Sequence, residues 1–290
     1  MNVSTAPSPR VALESTLILH GVPRDSSRML AKDLAAIVRS HGAEPALIAV
    51  IGGSPVVGVS DAELELLLNA GDVPKTNTAN IGLILHAKSH GATTVSTTME
   101  LASQVGIRVF ATGGLGGVHR GYGNQWDISA DLAAFTRFSV AVVTSGVKNL
   151  LDVESTREAL ETLGVPVVGF QTDRFPAFYR RESVAKVDAR FDDIEALARF
   201  CDFEMRRTGR GVVVCNPIPI HDELSETDWR SWSDQALREA AQAGKSGREV
   251  TPFVLGRLHA ISGGKTLAAN LSLVRSNAAV AAALARAMSL

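Results

Sequence analysis

The stretch "SVAVVTSGVKNLLDVESTREALETLGVPVVGF", residues 139–170, decides the fold. It opens on one apolar, β-branched run, crosses a helical period at about 154–163 and ends on a second apolar run. Near-continuous apolar strands separated by helices belong to parallel sheets covered on both faces. The alternation continues outward in both directions. Upstream, "PALIAVI", "ATTVS" and "IRVFATG" read as strands, and downstream "GVVVCN" does. Between them, "SSRMLAKDLAAIVRSHG" places Leu30, Leu34, Ile37 and Val38 on one helix face and stops at Gly42. "SDAELELLLNAG" is a helix with Ser60 as N-cap. Further helices are predicted over about 80–90, 97–105, 188–206, 226–243, 251–261 and 265–288. The expected architecture is a three-layer α/β/α fold with a mostly parallel central sheet. One catalytic domain is expected over 9–290, with 1–8 as a frayed tail.

Composition narrows the function. The 290 residues are 46% apolar and 20% charged, with a net charge of −1. No global field points toward a nucleic acid polymer or an anionic membrane. Cys201 and Cys215 are the only cysteines and offer neither a disulfide framework nor metal-ligand spacing. The start "MNVSTAPSPR" has no apolar signal region. No run of ~18 apolar residues is seen that would span a bilayer. A cytoplasmic setting is expected.

Two motifs mislead. The stretch "RVFATGGLGGVHRGYGNQWDISADL" (108–132) has five glycines between 113 and 121. Counted from Gly114, the third glycine of a dinucleotide fingerprint falls on His119. "GGKT" at 263–266 suggests a phosphate-loop lysine, but the required earlier glycine is His259 and no strand precedes it. Lys265 then reads as a surface residue near a helix N-terminus. His86 and His90 are four apart, yet no glutamate or third ligand accompanies them.

Other residues are candidates for chemistry. Lys148 lies just beyond an apolar strand, where open parallel sheets line a ligand crevice. It is either a Schiff-base lysine or a solvated loop lysine. Lys75 sits in a short polar turn segment, where a second ammonium nearby would depress its pKa. Glu14 ends the apolar run "RVALE" and is either a general acid or base, or a cap. Asp131, with Ser129 and Asp127 close by, is either a ligand for a hard cation or part of an N-cap cluster. The clustered glycines imply that something approaches the backbone closely.

Taken together, "VALESTLILHGVP", "GATTVSTTM", "IRVFATGGLGGVHRG", "DISADL", "VKNLLDV", "LETLGVPVVGF", "FPAFY", "NPIP", "VTPFVL" and "GGKTLAANLSLVRSNAA" resemble the pseudouridine-5′-phosphate glycosidase family, also called indigoidine-synthase-A-like. They run in order over nearly the whole chain. The resemblance implies a homotrimer that acts on the C–C bond between C1′ of ribose 5-phosphate and an aromatic ring. The implied route opens the ribose and forms a lysine imine at C1′.

By that resemblance Lys148 is the imine lysine, Glu14 the acid/base and Lys75 the second catalytic lysine. Asp131 is the ligand of one Mn²⁺ or Mg²⁺ per subunit, partly through water. Thr94, Thr112, His119 and Ser129 are implied to bind sugar phosphate, with backbone N–H groups of the glycine loop approaching the 5′-phosphate, and Asn270 to lie near the base.

One segment departs from the family. After the second lysine the family carries a sequence like K-V-S-R-R-D-L, and here residues 75–81 read "KTNTANI". Arginines give way to Thr78 and Ala79, and an aspartate to Asn80. Asn77, Thr78 and Asn80 are therefore candidates for aglycone selectivity, on a pocket that has lost charged groups. The departure tilts the expectation toward a C-glycosynthase of natural-product biosynthesis, like the alnumycin-type C-ribosylation enzymes. The alternatives are a pseudouridine-5′-phosphate glycosidase yielding uracil and ribose 5-phosphate, and an inactive sugar-phosphate-binding protein.

Overall fold

The computed structural model describes residues 9–121, 123, 126–148, 150–244 and 250–289. The expected tail, 1–8, lies outside the described residues. The strands are β1 (Arg10–Glu14), β2 (Glu44–Ile51), β3 (Ser54–Val57), β4 (Lys75–Thr76), β5 (Gly91–Thr93), β6 (Val109–Ala111), β7 (Val118–His119), β8 (Ala141–Thr144), β9 (Leu151–Asp152), β10 (Val167–Phe170), β11 (Ala189–Phe191) and β12 (Val212–Cys215). The helices are α1 (Ser15–His20), α2 (Arg24–Ser40), α3 (Asp61–Asn69), α4 (Ile81–His86), α5 (Val95–Gln104), α6 (Ala130–Ala134), α7 (Val153–Thr162), α8 (Ile194–Thr208), α9 (Glu226–Gln242), α10 (Val250–Ile261) and α11 (Lys265–Ala287).

One sheet runs β11-β10-β12-β8-β6-β1-β2-β5-β4, with β3 also on β2. Its pairs are parallel except where β2 meets β3 and β5. Side chains alternate between two cores. Val11, Leu13, Val109, Ala111, Ala141 and Val143 face one, under α2, α8, α9, α10 and α11. Ala12, Phe110 and Val142 face the other, under α5, α6 and α7. This period of two, with both faces covered, makes the three layers that the apolar runs implied.

Several elements differ from the sequence expectation. Lys75 and Thr76 form a short edge strand rather than a turn, paired in parallel with β5. The segment 188–206 is not one helix. Its first residues form β11 against β10, and α8 begins after Asp193, which caps it by accepting from Ala196 N–H at 2.7 Å. Helix α4 ends at His86, so His90 is beyond it and accepts instead from Gly52 N–H at 3.2 Å. Lys265 opens α11, with its ammonium 5.7 Å from the centre of the Trp232 ring. Helix α11 is long and apolar enough, by length and composition, to cross a membrane. Its apolarity serves a core, because Leu273, Ala278 and Ala281 are fully buried in the layer against the sheet.

Parallel register aligns the strand ends that matter. Leu13 pairs with Ala111, and Ala111 with Val143, so Glu14, Thr112 and Thr144 follow at one edge. On the other side Glu14 pairs with Ile48, whose carbonyl accepts from Thr93 Oγ1 at 2.7 Å, and Thr93 pairs with Thr76. The row brings the edge strand carrying Lys75 to the level of Glu14.

Candidate active site

Glu14 ends β1 with 3% exposure. It does not serve as a side-chain cap of α1, which removes the capping alternative. Its Oε1 accepts a 2.5 Å hydrogen bond from Thr112 Oγ1, and its Oε2 is buried without a hydrogen-bond partner. Burial pushes the carboxyl pKa above its ordinary value. Lys148, the Thr112 hydroxyl and Lys75 pull the other way, and the Asp131 charge adds to the rise. A carboxyl so held keeps a proton to deliver at higher pH.

Two lysines reach this floor, Lys75 from the edge strand β4 and Lys148 from the loop after β8. Lys75 and Lys148 are both exposed. Partial burial of its ammonium and the Lys148 charge depress the Lys75 pKa, against an opposing pull from Glu14. The Lys148 loop is zipped to the glycine loop by backbone bonds. Ser145 N–H donates to Gly113 O at 3.1 Å, Leu115 N–H to Gly146 O at 2.9 Å and Lys148 N–H to Leu115 O at 3.0 Å. These bonds extend the β6–β8 pairing past the sheet edge and fix the lysine's backbone.

Three of the clustered glycines have a cause within the fold itself. None of Gly113, Gly114, Gly116 and Gly117 has a positive φ. A Cβ on Gly114 would lie 2.6 Å from the Phe178 ring. On Gly116 it would lie 2.2 Å from Ser129 Oγ, and on Gly117 2.3 Å from Thr156 Oγ1. At these three positions the protein's own side chains make the close approach. Gly116 N–H goes to Asp131, whose Oδ2 accepts it at 2.8 Å.

Asp131 is 3% exposed and its Oδ1 accepts from Ser96 N–H at 2.9 Å. It therefore clamps the first turn of α5 to the glycine loop, while Ser129 caps α6. Among the described residues no three His, Cys, Asp or Glu side chains gather as a metal cage. Each Asp131 oxygen has one backbone partner and so a lone pair to spare. A single hard oxygen donor of this kind fits a cation that keeps most of its water, as Mg²⁺ and Mn²⁺ do.

The remaining candidates fall at differing places. Thr94 stands at the N-terminus of α5, its hydroxyl 3.1 Å from Ser96 Oγ. His119 lies on β7 with Nδ1 3.6 Å from Asp127. Asn270 donates to Gly21 O at 3.2 Å, and its buried Oδ1 has no partner and faces the glycine loop at Gly113. Asn77 and Asn80 close a turn on themselves. Asn77 Oδ1 accepts from Ala79 N–H at 2.9 Å, Asn80 Oδ1 from Asn77 N–H at 2.8 Å, and Asn80 Nδ2 donates to Lys75 O at 3.1 Å. Thr78 N–H is 3.4 Å from Ser96 Oγ.

Sequence reasoning missed His20, whose imidazole pKa is lowered by partial burial and by Lys75. It also missed Asn277, a polar residue in the alanine-rich stripe of α11, and a buried polar group in an apolar stripe was the signal.

The sequence profile of the family described as "Indigoidine synthase A like protein" matches residues 2–287. Among curated proteins, the pseudouridine-5′-phosphate glycosidase of Geobacillus kaustophilus is 47% identical over 282 residues, 97% of this chain and 94% of that one. The enzyme of the same name from Solibacter usitatus is 47% identical over 279 residues, 96% and 93% of the two chains. Among solved structures, the prealnumycin C-glycosynthase AlnA in complex with ribulose 5-phosphate superposes with a TM-score of 0.89 at 38% identity, covering 97% of this chain and 92% of that one. An indigoidine synthase A-like protein of Thermotoga maritima gives 0.89 at 34% identity, covering 99% and 96%.

Proposed function

Because the chain belongs to the indigoidine synthase A like family, we propose that it is a pseudouridine-5′-phosphate glycosidase, releasing uracil and ribose 5-phosphate. The observation that carries the reading is a buried Glu14 with a raised pKa beneath the two exposed lysines Lys75 and Lys148. In this proposal the Lys148 amine attacks C1′ and the C1′–O4′ bond opens, with Glu14 giving the proton to O4′. The ammonium formed at C1′ returns its proton to the Glu14 carboxylate, which then passes a proton to C5 of the uracil ring. The C1′–C5 bonding pair leaves with the ring, the amine lone pair forms the imine, and water hydrolyses it to free the sugar and Lys148.

Each group has a physical reason for its part. The Lys148 charge helps to hold the Lys75 pKa down. Thr112 holds one Glu14 oxygen and leaves the other for substrate. Asp131 would hold the Mn²⁺ or Mg²⁺ ion, whose charge would offset that of the sugar phosphate. Thr94, Thr112, His119, Ser129 and Asn270 remain proposed substrate contacts. A homotrimer belongs to the same proposal.

The sequence alone tilts toward synthesis, and the names of the curated relatives shift the weight to cleavage. The second reading is C–C bond formation on another aromatic acceptor, favoured by the 77–80 segment and the likeness to AlnA. The test follows uracil release from pseudouridine 5′-phosphate in wild type and Lys148→Ala. Efficient release that the variant loses supports the glycosidase. No release, with C–C coupling of ribose 5-phosphate to an aromatic acceptor, supports the second reading.

A further inference from the structure

Asn277, on α11, is fully buried and uses its whole amide. Its Nδ2 donates to the backbone oxygen of Thr112 at 2.8 Å and to Ser145 Oγ at 3.1 Å. Its Oδ1 accepts from Asn216 Nδ2 at 2.9 Å. Ser145 Oγ donates to the backbone oxygen of Asn216 at 2.9 Å, and Asn216 Nδ2 also donates to Ser276 Oγ at 2.9 Å.

This pattern admits one polarity. Ser145 has a single hydroxyl proton, and the Asn216 carbonyl takes it. Ser145 Oγ also stands 3.3 Å from Oδ1, but the Thr112 backbone oxygen can only accept, so the amide atom facing it is Nδ2, and Ser145 accepts from that same atom. No hydrogen-bonding group of the Asn277 amide is left unmet, and a network satisfied in this way specifies one arrangement.

The partners share a position in the fold. Thr112, Ser145 and Asn216 are each the first residue after β6, β8 and β12, three adjacent strands of the sheet. Thr112 carries the hydroxyl that holds Glu14. Ser145 begins the loop that presents Lys148 three residues later. One side chain of a different layer thus ties together the roots of the Glu14 and Lys148 supports.

We propose that Asn277 is a positioning residue that sets Glu14 and Lys148 in register for the reaction by pinning Thr112 and Ser145 to one amide. This rests on the proposed function only in taking those two residues as the reacting groups.

Asn277→Leu keeps the volume and removes the bonds, and Asn277→Ala provides a variant free of steric strain. Leu284→Ala, at a fully buried position elsewhere on α11, is the control for lost packing. With pseudouridine 5′-phosphate, both Asn277 variants are expected to lower kcat roughly ten- to a hundredfold, the scale of a misplaced reacting group, with KM little changed. The Glu14 limb of the kcat profile should move to higher pH, because a displaced Thr112 hydroxyl no longer pulls that carboxyl down. Lys148, Lys75 and Asp131, the charged groups that act on Glu14, are untouched. Thr112→Val should move the limb equally, and Asn277→Leu should add nothing in that background. Leu284→Ala should lower Tm and leave the limb in place.

Titration of Glu14 by carboxyl-selective NMR repeats the comparison without substrate, so a wrong substrate assignment leaves the test standing. An unmoved Glu14 titration in both folded Asn277 variants, or a shift of the same size in Leu284→Ala, overturns the proposal.

Discussion

Thr112, the first residue after β6, donates its hydroxyl proton across 2.5 Å to Oε1 of Glu14, which ends the neighbouring strand β1. The bond holds one carboxylate oxygen, while the other is buried and unpaired. A carboxyl bound on one side and bare on the other is oriented and has a site left for a substrate atom. Burial is the leading cause of its raised pKa, so the fold gives up stability to keep the group there.

That cost has a pH signature. The folded chain binds the Glu14 proton more tightly than the unfolded chain does. Stability is therefore lost as pH rises from the ordinary value of 4.5 toward the raised folded value, and the loss is complete above it. Glu14→Gln removes the titration. Its Tm advantage over wild type is expected to widen across that window and then level off, while kcat falls roughly 10²–10⁴-fold. Thermal melts at a series of pH values check this, and an advantage independent of pH would contradict the assigned cause.

The lysine pair gives a second expectation. Borohydride reduction in the presence of ribose 5-phosphate should add the sugar's mass to the peptide that carries Lys148, and Lys148→Ala should abolish both the adduct and turnover. The same substitution removes one of the two causes that hold the Lys75 pKa down. Lys75 should then be acylated more slowly at neutral pH, read by mass spectrometry. An adduct found on Lys75 in wild type would exchange the two roles.

Gly116 offers a steric test. An added methyl there would meet Ser129 Oγ at 2.2 Å and Asp131 Oδ2 at 2.7 Å, whereas one on Gly82, in α4, meets nothing within 4 Å. Gly116→Ala should cost about 1–3 kcal/mol through overpacking. Gly82→Ala should gain about 0.5–1 kcal/mol from helix propensity and a less free unfolded chain. Urea midpoints compare the two, and equal midpoints would show that Gly116 is not held by close packing.

Much of this architecture was readable because burial on both faces writes itself as apolar runs. "AVVT", "VVGF" and "VVVC" are strands for that reason. The misses share another cause. Strand β4 is two residues long and polar at Lys75, so only its pairing with β5 makes it a strand. Strand β11 runs into the helical pattern of α8, and the Asp193 cap between them is a single residue. Glu14, Lys75, Lys148 and Asp131 are legible in the sequence only as separate candidates, each with an ordinary alternative, and the resemblance alone joins them, because their convergence is a product of register. Asn277 shows in the sequence only as a polar residue in an apolar stripe, and its role stays hidden because its partners are 61 to 165 positions away.

Asp131 carries two roles that separate experimentally. Asp131→Ala leaves Ser96 N–H and Gly116 N–H without acceptors, each worth about 1–3 kcal/mol when buried. Tm should fall even in excess chelator, with Asp131→Asn, which keeps one acceptor, falling less. Mn²⁺ should stimulate wild type and fail to stimulate Asp131→Ala. A Tm loss seen only when Mn²⁺ is present would make the residue a ligand without the clamp.

The 77–80 segment gives the last test. Its turn is held by Asn77 and Asn80, and it docks through Thr78 N–H on Ser96, whose own N–H binds Asp131. Arginine at Thr78 leaves that backbone contact in place, and Ala79 is exposed, so arginine there meets no core. Aspartate at Asn80 keeps the acceptor for Asn77 N–H and gives up the bond to Lys75 O. The triple variant T78R/A79R/N80D should therefore fold. It restores charged groups beside Lys75, and each charge-assisted bond to a polar base is worth about 1.5–3 kcal/mol. If the segment reads the aglycone, one such bond raises kcat/KM on pseudouridine 5′-phosphate roughly ten- to a hundredfold. Binding of ribose 5-phosphate should not change, because Lys148, Thr112 and Asp131 are untouched. The measurement is kcat/KM for both proteins together with the Kd for the sugar phosphate. Equal kcat/KM in wild type and variant would remove the segment from aglycone choice and, with it, the sequence-based case for synthesis on another acceptor.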